Sequence, residues 1–329
     1  ALALLDVRML AATGLFPDDA LPGLDRRMTQ ALGVMAHGDG EIALLNDSWI
    51  GEAPSAAALG AVPADGTSRL PQTGYVRLAG GGDSAGDDVV FDCGPCGPDD
   101  QPGHAHADFL SAETCVQGNR FLVDTGVPTY TSGELRNSSR AAGAHNGPRL
   151  EGAEPIEFWK SFRVGRRGYA GALDESAFSG IAPLIPPLIA AGWQDGYAHL
   201  GVDLRRMVAL WPGAGLLIAD LWRGGDRTPS TDFLVDGTWR IDEDGSFVRD
   251  GTEGSVAALA GTLSLPEPDS CWRRFEVERP AHRLRLRPDP TGNGAQGAVW
   301  FGWGGMAPPD AALLGDLFER LAAAKKIPS

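Results

Sequence analysis

Apolar positions recur at helical spacing at the start of the chain and then change period. In ALALLDVRMLAATGLF the spacing predicts one helix, closed by Pro17, and over residues 21–36 it predicts a second. His37-Gly38-Asp39-Gly40 reads as a turn, and EIALLNDSWIGEAP as a short extended or irregular piece leading to a small helix at residues 55–59. After about Ala61 the pattern becomes short alternating or continuous apolar runs: GYVRLAG, DDVVFDCG, NRFLVDTG, RRMVALW, GLLIADLW, STDFLVDG, RRFEVERP, HRLRLRP and GAVWFGWGG. Most of them end at Gly, Pro, Asp or Asn, the residues that turn a chain between strands. Regular intervening helices are missing, which favours a layered antiparallel sandwich over a doubly wound sheet.

The expected fold is therefore mainly β: a large antiparallel β-sandwich over residues 61–329, after a short helical region at 1–60. Residues 170–192 interrupt the strand pattern, and adjacent Pro186 and Pro187 make them an insertion or long loop. A last helix is expected over about residues 309–326, with Asp310 as its cap.

Composition narrows the function classes. The 329 residues carry 28 basic and 43 acidic side chains, a net charge of -15, which argues against a general nucleic-acid binder. No apolar run is long enough for a membrane span. The start lacks the basic region, hydrophobic run and cleavage site of a signal peptide, and also an initiator methionine, as expected of a processed or trimmed piece. Four cysteines are too few for a disulfide scaffold. Cys93-Gly94-Pro95-Cys96 has redox spacing, but Gly97-Pro98-Asp99-Asp100 is a poor helix start, so the pair reads as ordinary thiols or a structural bridge.

Candidate chemistry concentrates in GHAHADFLSAETCVQGNRFLVDTGVPTYTSGELRNSSRAAGAHNG. If His104-Ala105-His106 is extended, both imidazoles share a face, and Asp108 joins them. Asp124 ends an apolar run, and His145 follows in a loop. Two histidines and a carboxylate from separate segments make an ordinary zinc site; surface histidines near a turn and one hydrogen-bonded loop histidine are the competing reading.

The histidine segment and its surroundings resemble the heparinase II/III-like polysaccharide lyases. MAHGDGEIALLNDSWIGEAP resembles the junction between the last helices of that family's α/α toroid and its β domain. TGYVRL, DCGPCGPDDQPGHAHADFLSAE, GNRFLVDTGVPTY and RAAGAHNG follow in the same order as the segments of its sandwich. The resemblance implies that His104 faces substrate and that His106, Asp124 and His145 hold a structural Zn2+ beside the cleft. It also implies supporting or substrate-contact roles for Tyr130, Arg140 and Asn146. The implied reaction is β-elimination in a uronic-acid-containing anionic polysaccharide. The adjacent carboxylate is neutralised, a base removes the C5 proton, and an acid protonates the departing O4.

The same resemblance favours a periplasmic or secreted protein. It also places the remaining catalytic groups, a tyrosine among them, in a toroid for which this chain has no room. A separate helical chain or a homo-oligomer is then an expected partner, with Tyr75 and Tyr197 the nearest substitutes for the missing tyrosine. Two other functions compete: a non-catalytic carbohydrate-binding or assembly module, suggested by nine tryptophans, and a metal-assisted glycan hydrolase.

Overall fold

The computed structural model describes residues 2–14, 20–97, 102–181 and 187–327. Its sheets are antiparallel throughout the named strands and fall into three groups, one of nine strands and two of five. The first five-stranded sheet runs in chain order through β1 (Gly66–Leu70), β2 (Tyr75–Ala79), β3 (Asp88–Asp92), β4 (Ala112–Val116) and β5 (Asn119–Arg120).

The nine-stranded sheet is built around Asp203–Trp211, Gly215–Arg223 and Gly294–Gly302. Alternation along these strands explains why they read as continuous apolar runs. Val208, Leu210, Ile218, Val299 and Phe301 enter one core, together with Leu78 and Phe91 of the first sheet and Phe233 and Leu286 of the third. Met207, Ala209, Leu217, Ala219 and Trp300 enter a second core on the opposite face. A strand buried on both faces needs no polar positions. The second core is closed by α4 (Ala311–Ala323), which supplies Leu314, Leu317, Phe318 and Leu321. Asp310 caps α4 as expected, its carboxylate accepting from Leu313 N at 2.8 Å.

The N-terminal helices α1 (Leu2–Ala12) and α2 (Ala20–Val34) meet through Leu4 and Leu32, with an ion pair of 2.6 Å from Arg8 to Asp25. Pro17, the expected end of the first helix, lies outside the described residues. From α2 the chain runs along the first sheet, where Ala43 and Leu45 pack on Val90.

Several local expectations differ from what forms. Residues 55–59 make turns rather than a helix. Residues 170–192 hold strands at both ends, Ala170–Ala172 and Leu188–Gln194, with a short 3-10 turn inside; Pro186 lies outside the described residues. RRFEVERP is a hairpin bend, not one strand: Glu267–Arg274 turns back into Val277–Arg287 through Phe275 and a left-handed Glu276 (φ 57). Nothing at this turn is Gly, Pro or Asn, so the sequence carries no break signal.

Candidate functional site

The candidate site begins at Asn46, whose left-handed backbone (φ 54) turns the chain after the run Ala43–Leu45. Asparagine tolerates this conformation better than most residues. Both ends of Asn46 tie it to the histidine loop: its N–H donates to Asp108 Oδ2 at 2.7 Å, and its Oδ1 accepts from His106 N at 3.1 Å. The turn presents Asp47.

Asp47 gathers three partners. Its Oδ2 is 2.9 Å from His104 Nδ1, its Oδ1 is 2.8 Å from His106 Nε2, and Arg136 donates to both oxygens, at 2.5 and 2.6 Å. Burial raises the Asp47 pKa, but hydrogen bonds from His106 and Arg136 outweigh it and hold the carboxyl well below its ordinary range. Asp47 is thus an anion, and the imidazoles are its donors.

His104 and His106 converge as expected, but not by strand alternation. Pro102–His104 is a 3-10 turn, and both rings reach one carboxylate from a loop. His104 keeps 65% of its side chain exposed, whereas His106 is fully buried. Arg140 fixes this loop by donating to the carbonyls of Ala105, Pro102 and Ser161 at 2.8, 3.0 and 2.6 Å. Arg136 and Arg140 lie four apart on α3 (Glu134–Arg140), hence on one face. Only Arg140 drew notice in the sequence, although that spacing was readable.

Tyr130 stands beside His104, with ring centroids 6.2 Å apart, and under the Arg136 guanidinium at 5.0 Å. Burial, then the negative charge of Asp47, raises its pKa above the ordinary value. Trp49 and Phe275 complete an aromatic group around it, at 5.7 and 5.5 Å. Tyr197 is sealed in the core, and Tyr75 is a neighbour of Asn46, not of His104.

Behind the loop, His145 Nδ1 is 2.6 Å from Asp124 Oδ2, and the His145 ring lies 5.3 Å from that of His106. His106 Nδ1 and His145 Nε2 are both buried without a hydrogen bond. Burial pushes the His106 pKa down, which favours the neutral ring with Nε2–H on Asp47. At His145 burial pulls the same way, but Asp124 outweighs it and raises the pKa to about 9, so a metal ion there would displace a proton from Nε2. Two unpartnered imidazole nitrogens, each on a ring whose other nitrogen is fixed by a carboxylate, suit a bound metal ion. Asp124 stands behind His145 in this arrangement. The residues fit such a group through the two imidazoles. Asn146 is a tie between strands: Nδ2 donates to Ala112 O and Val123 O at 3.1 and 3.0 Å, and Oδ1 accepts from Leu234 N at 2.7 Å.

Among the described residues, the group whose donor atoms all lie within 4.8 Å of one another is a different one: His37, Asp88 and Cys115. That cluster could hold a metal, and its three members come from separate segments with no ligand spacing readable along the chain. Burial raises the Cys115 pKa, while for His37 burial and Arg120 pull downward and Asp88 overrides them. No disulfide joins Cys93 and Cys96; both are buried thiols.

Residues 63–291 match the family model described as heparinase II/III-like, C-terminal. The chain belongs to this family. Solved structures of heparinase II/III-like lyases share its fold. A mutant of the heparan sulfate lyase HepC from Pedobacter heparinus aligns with a TM-score of 0.66 and 17% identity, over 90% of this chain and 49% of that one. A heparinase III gives 0.65 and 16%, over 88% and 50%. A second heparinase III, with methylated lysines, gives 0.65 and 14%, over 87% and 46%. The chain therefore spans about half the length of these structures. No protein of curated function matches its sequence. No helix among the described residues is long and apolar enough to cross a membrane.

Proposed function

We propose that this chain carries the sandwich half of a lyase that cleaves uronic-acid-containing anionic polysaccharide by β-elimination. The observation that supports this most is His104: an exposed imidazole anchored through Nδ1 by Asp47, with its Nε2 edge left for a ligand. Anchoring one nitrogen fixes ring direction, so the other meets a substrate group without a large ordering cost. In this reading His104 binds the uronate carboxylate, or moves the C5 proton, while Arg136 stays engaged with Asp47 and orients it. The net charge of -15 offers no general attraction for a polyanion, so recognition is local.

The metal reading follows the buried imidazoles: His106 and His145 hold a zinc ion, with Asp124 fixing His145. Bound there, zinc supplies a rigid anchor for the loop that carries His104. Further proton-transfer groups come from a helical toroid, in agreement with the doubled length of the solved relatives. Residues 1–60 are read as the tail of that toroid and 61–329 as the sandwich domain.

A carbohydrate-binding module is the second reading, favoured by the aromatic group Trp49, Tyr130 and Phe275 beside His104. The other tryptophans lend it less support, since Trp211, Trp222, Trp239 and Trp300 are core residues. The deciding assay follows ultraviolet absorbance of unsaturated uronate products, using the native assembly on a panel of uronic-acid polymers. Turnover abolished by His104→Ala supports the lyase. Binding without turnover across the panel selects the module.

A further inference from the structure

The buried cluster at the helix–sandwich junction lies apart from Asp47 and the histidine loop. Asp88 and Cys115 are direct cross-strand partners on β3 and β4, so their side chains share a face. His37, from the turn after α2, lies over them: its Nδ1 contacts Asp88 Oδ1, and Gly38 N donates to Asp88 Oδ2 at 2.6 Å. His37 and Asp88 have no exposed side-chain surface, and Cys115 is fully buried. His37 Nε2 makes no hydrogen bond; the nearest acid oxygen, Glu113 Oε2, stands 3.4 Å away. That separation is what two atoms sharing a zinc ion at about 2.0–2.2 Å each would show.

The donor chemistry points the same way. Arg77 faces Asp88, and Arg120 faces both Asp39 and Glu113. Imidazole, carboxylate and cysteine sulfur together form a donor set suited to zinc-like ions.

We propose that His37, Asp88 and Cys115 form a second, structural site for a divalent cation of the zinc class, with Glu113 Oε2 available as a further ligand. It ties the turn after α2 to β3 and β4, ten residues upstream of Asp47, and so anchors the segment that delivers Asp47 to the histidine loop. The site is independent of the lyase reading.

Sulfur makes the test selective, because the His106 and His145 site contains none. The chelator-stripped 329-residue chain is titrated with Co2+ alone. The expected result is a thiolate-to-cobalt charge-transfer band in the near ultraviolet that survives His106→Ala, Cys93→Ser, Cys96→Ser and Cys271→Ser and vanishes in Cys115→Ser. Asp88→Asn should weaken Co2+ binding, read from the same band, by about 10–100-fold. If Cys115→Ser does not fold, persistence of the band in the other three cysteine variants, with its weakening in His37→Gln, assigns it to Cys115. A folded wild-type chain with no such band overturns the proposal, leaving an imidazolium locked between carboxylates. A band that persists in Cys115→Ser, or is lost in any of the other cysteine variants, also overturns it.

Discussion

Asp47 and Arg136 form a two-pronged ion pair, with each guanidinium Nη bonded to a different carboxylate oxygen, at 2.5 and 2.6 Å. Arg136 has no exposed side-chain surface, and Asp47 retains 5%. Asp47 also orients His104 and His106, so one carboxylate joins the stability of the loop to the direction of its exposed imidazole. Removing it strands a buried cation. Asp47→Ala should cost about 3–5 kcal/mol in denaturant unfolding. Arg136→Ala should cost a similar amount, and the double variant clearly less than the sum of the two. Additive losses would show that the pair is not coupled.

His104→Ala should separate function from folding. The side chain is 65% exposed and makes its hydrogen bond at the surface of the site. Its loss should move stability by about 0.5 kcal/mol or less, while unsaturated-product formation by the native assembly disappears. A large drop in thermal midpoint would mean that His104 is a structural residue.

Asn146 should behave in the opposite way. Its amide serves Ala112 O, Val123 O and Leu234 N inside the protein. Asn146→Ala should destabilise by about 2–4 kcal/mol, because several buried backbone groups lose partners together. Metal content should persist in whatever fraction remains folded. An unchanged unfolding midpoint would contradict the tie.

Metal analysis tests the paired imidazoles. His106→Ala and His145→Ala should each lower bound zinc by about one ion per chain under non-chelating conditions, since two protein nitrogens carry the site. Full metal content in both variants would remove the zinc reading of His106, Asp124 and His145.

The acid limb of stability has a traceable contributor in Asp203. Burial raises its pKa, but Arg223 and Arg205 outweigh burial and hold the carboxyl below its ordinary value. A depressed acid contributes stability above its unfolded pKa of about 3.9 and loses it as pH falls through the lower folded value. Asp203 is 32% exposed, so solvent screening limits the effect to about 1 kcal/mol. Asp203→Asn should lower the urea midpoint at neutral pH, and the gap should narrow as pH falls below about 4. A gap independent of pH would refute the assignment.

The sheet-rich body was legible because a strand's facing pattern is local. Runs such as RRMVALW and GLLIADLW lie within Asp203–Trp211 and Gly215–Arg223. The hairpin at Phe275 and Glu276 was not, because its turn is imposed by the pairing of Glu267–Arg274 with Val277–Arg287 and has no turn residue of its own. His104 and His106 were legible as neighbours in one short segment, and Tyr130 only through the family resemblance. Asp47 was not: it lies 57 residues before His104, in a stretch whose residues look like an ordinary junction.

Sequence by itself determined the strand-forming segments, the capped final helix and the family's histidine pattern, since each rests on propensities and spacings within a few residues. Tertiary structure alone decided that Asp47 and Arg136 share a buried pair, that His106 and His145 are neighbouring rings each with a nitrogen lacking a hydrogen bond, and that His37 lies over Asp88 and Cys115. Burial is the physical reason. The charge and hydrogen-bonding capacity of these groups become specific only when water is excluded, and which partner replaces water is settled by how distant segments pack.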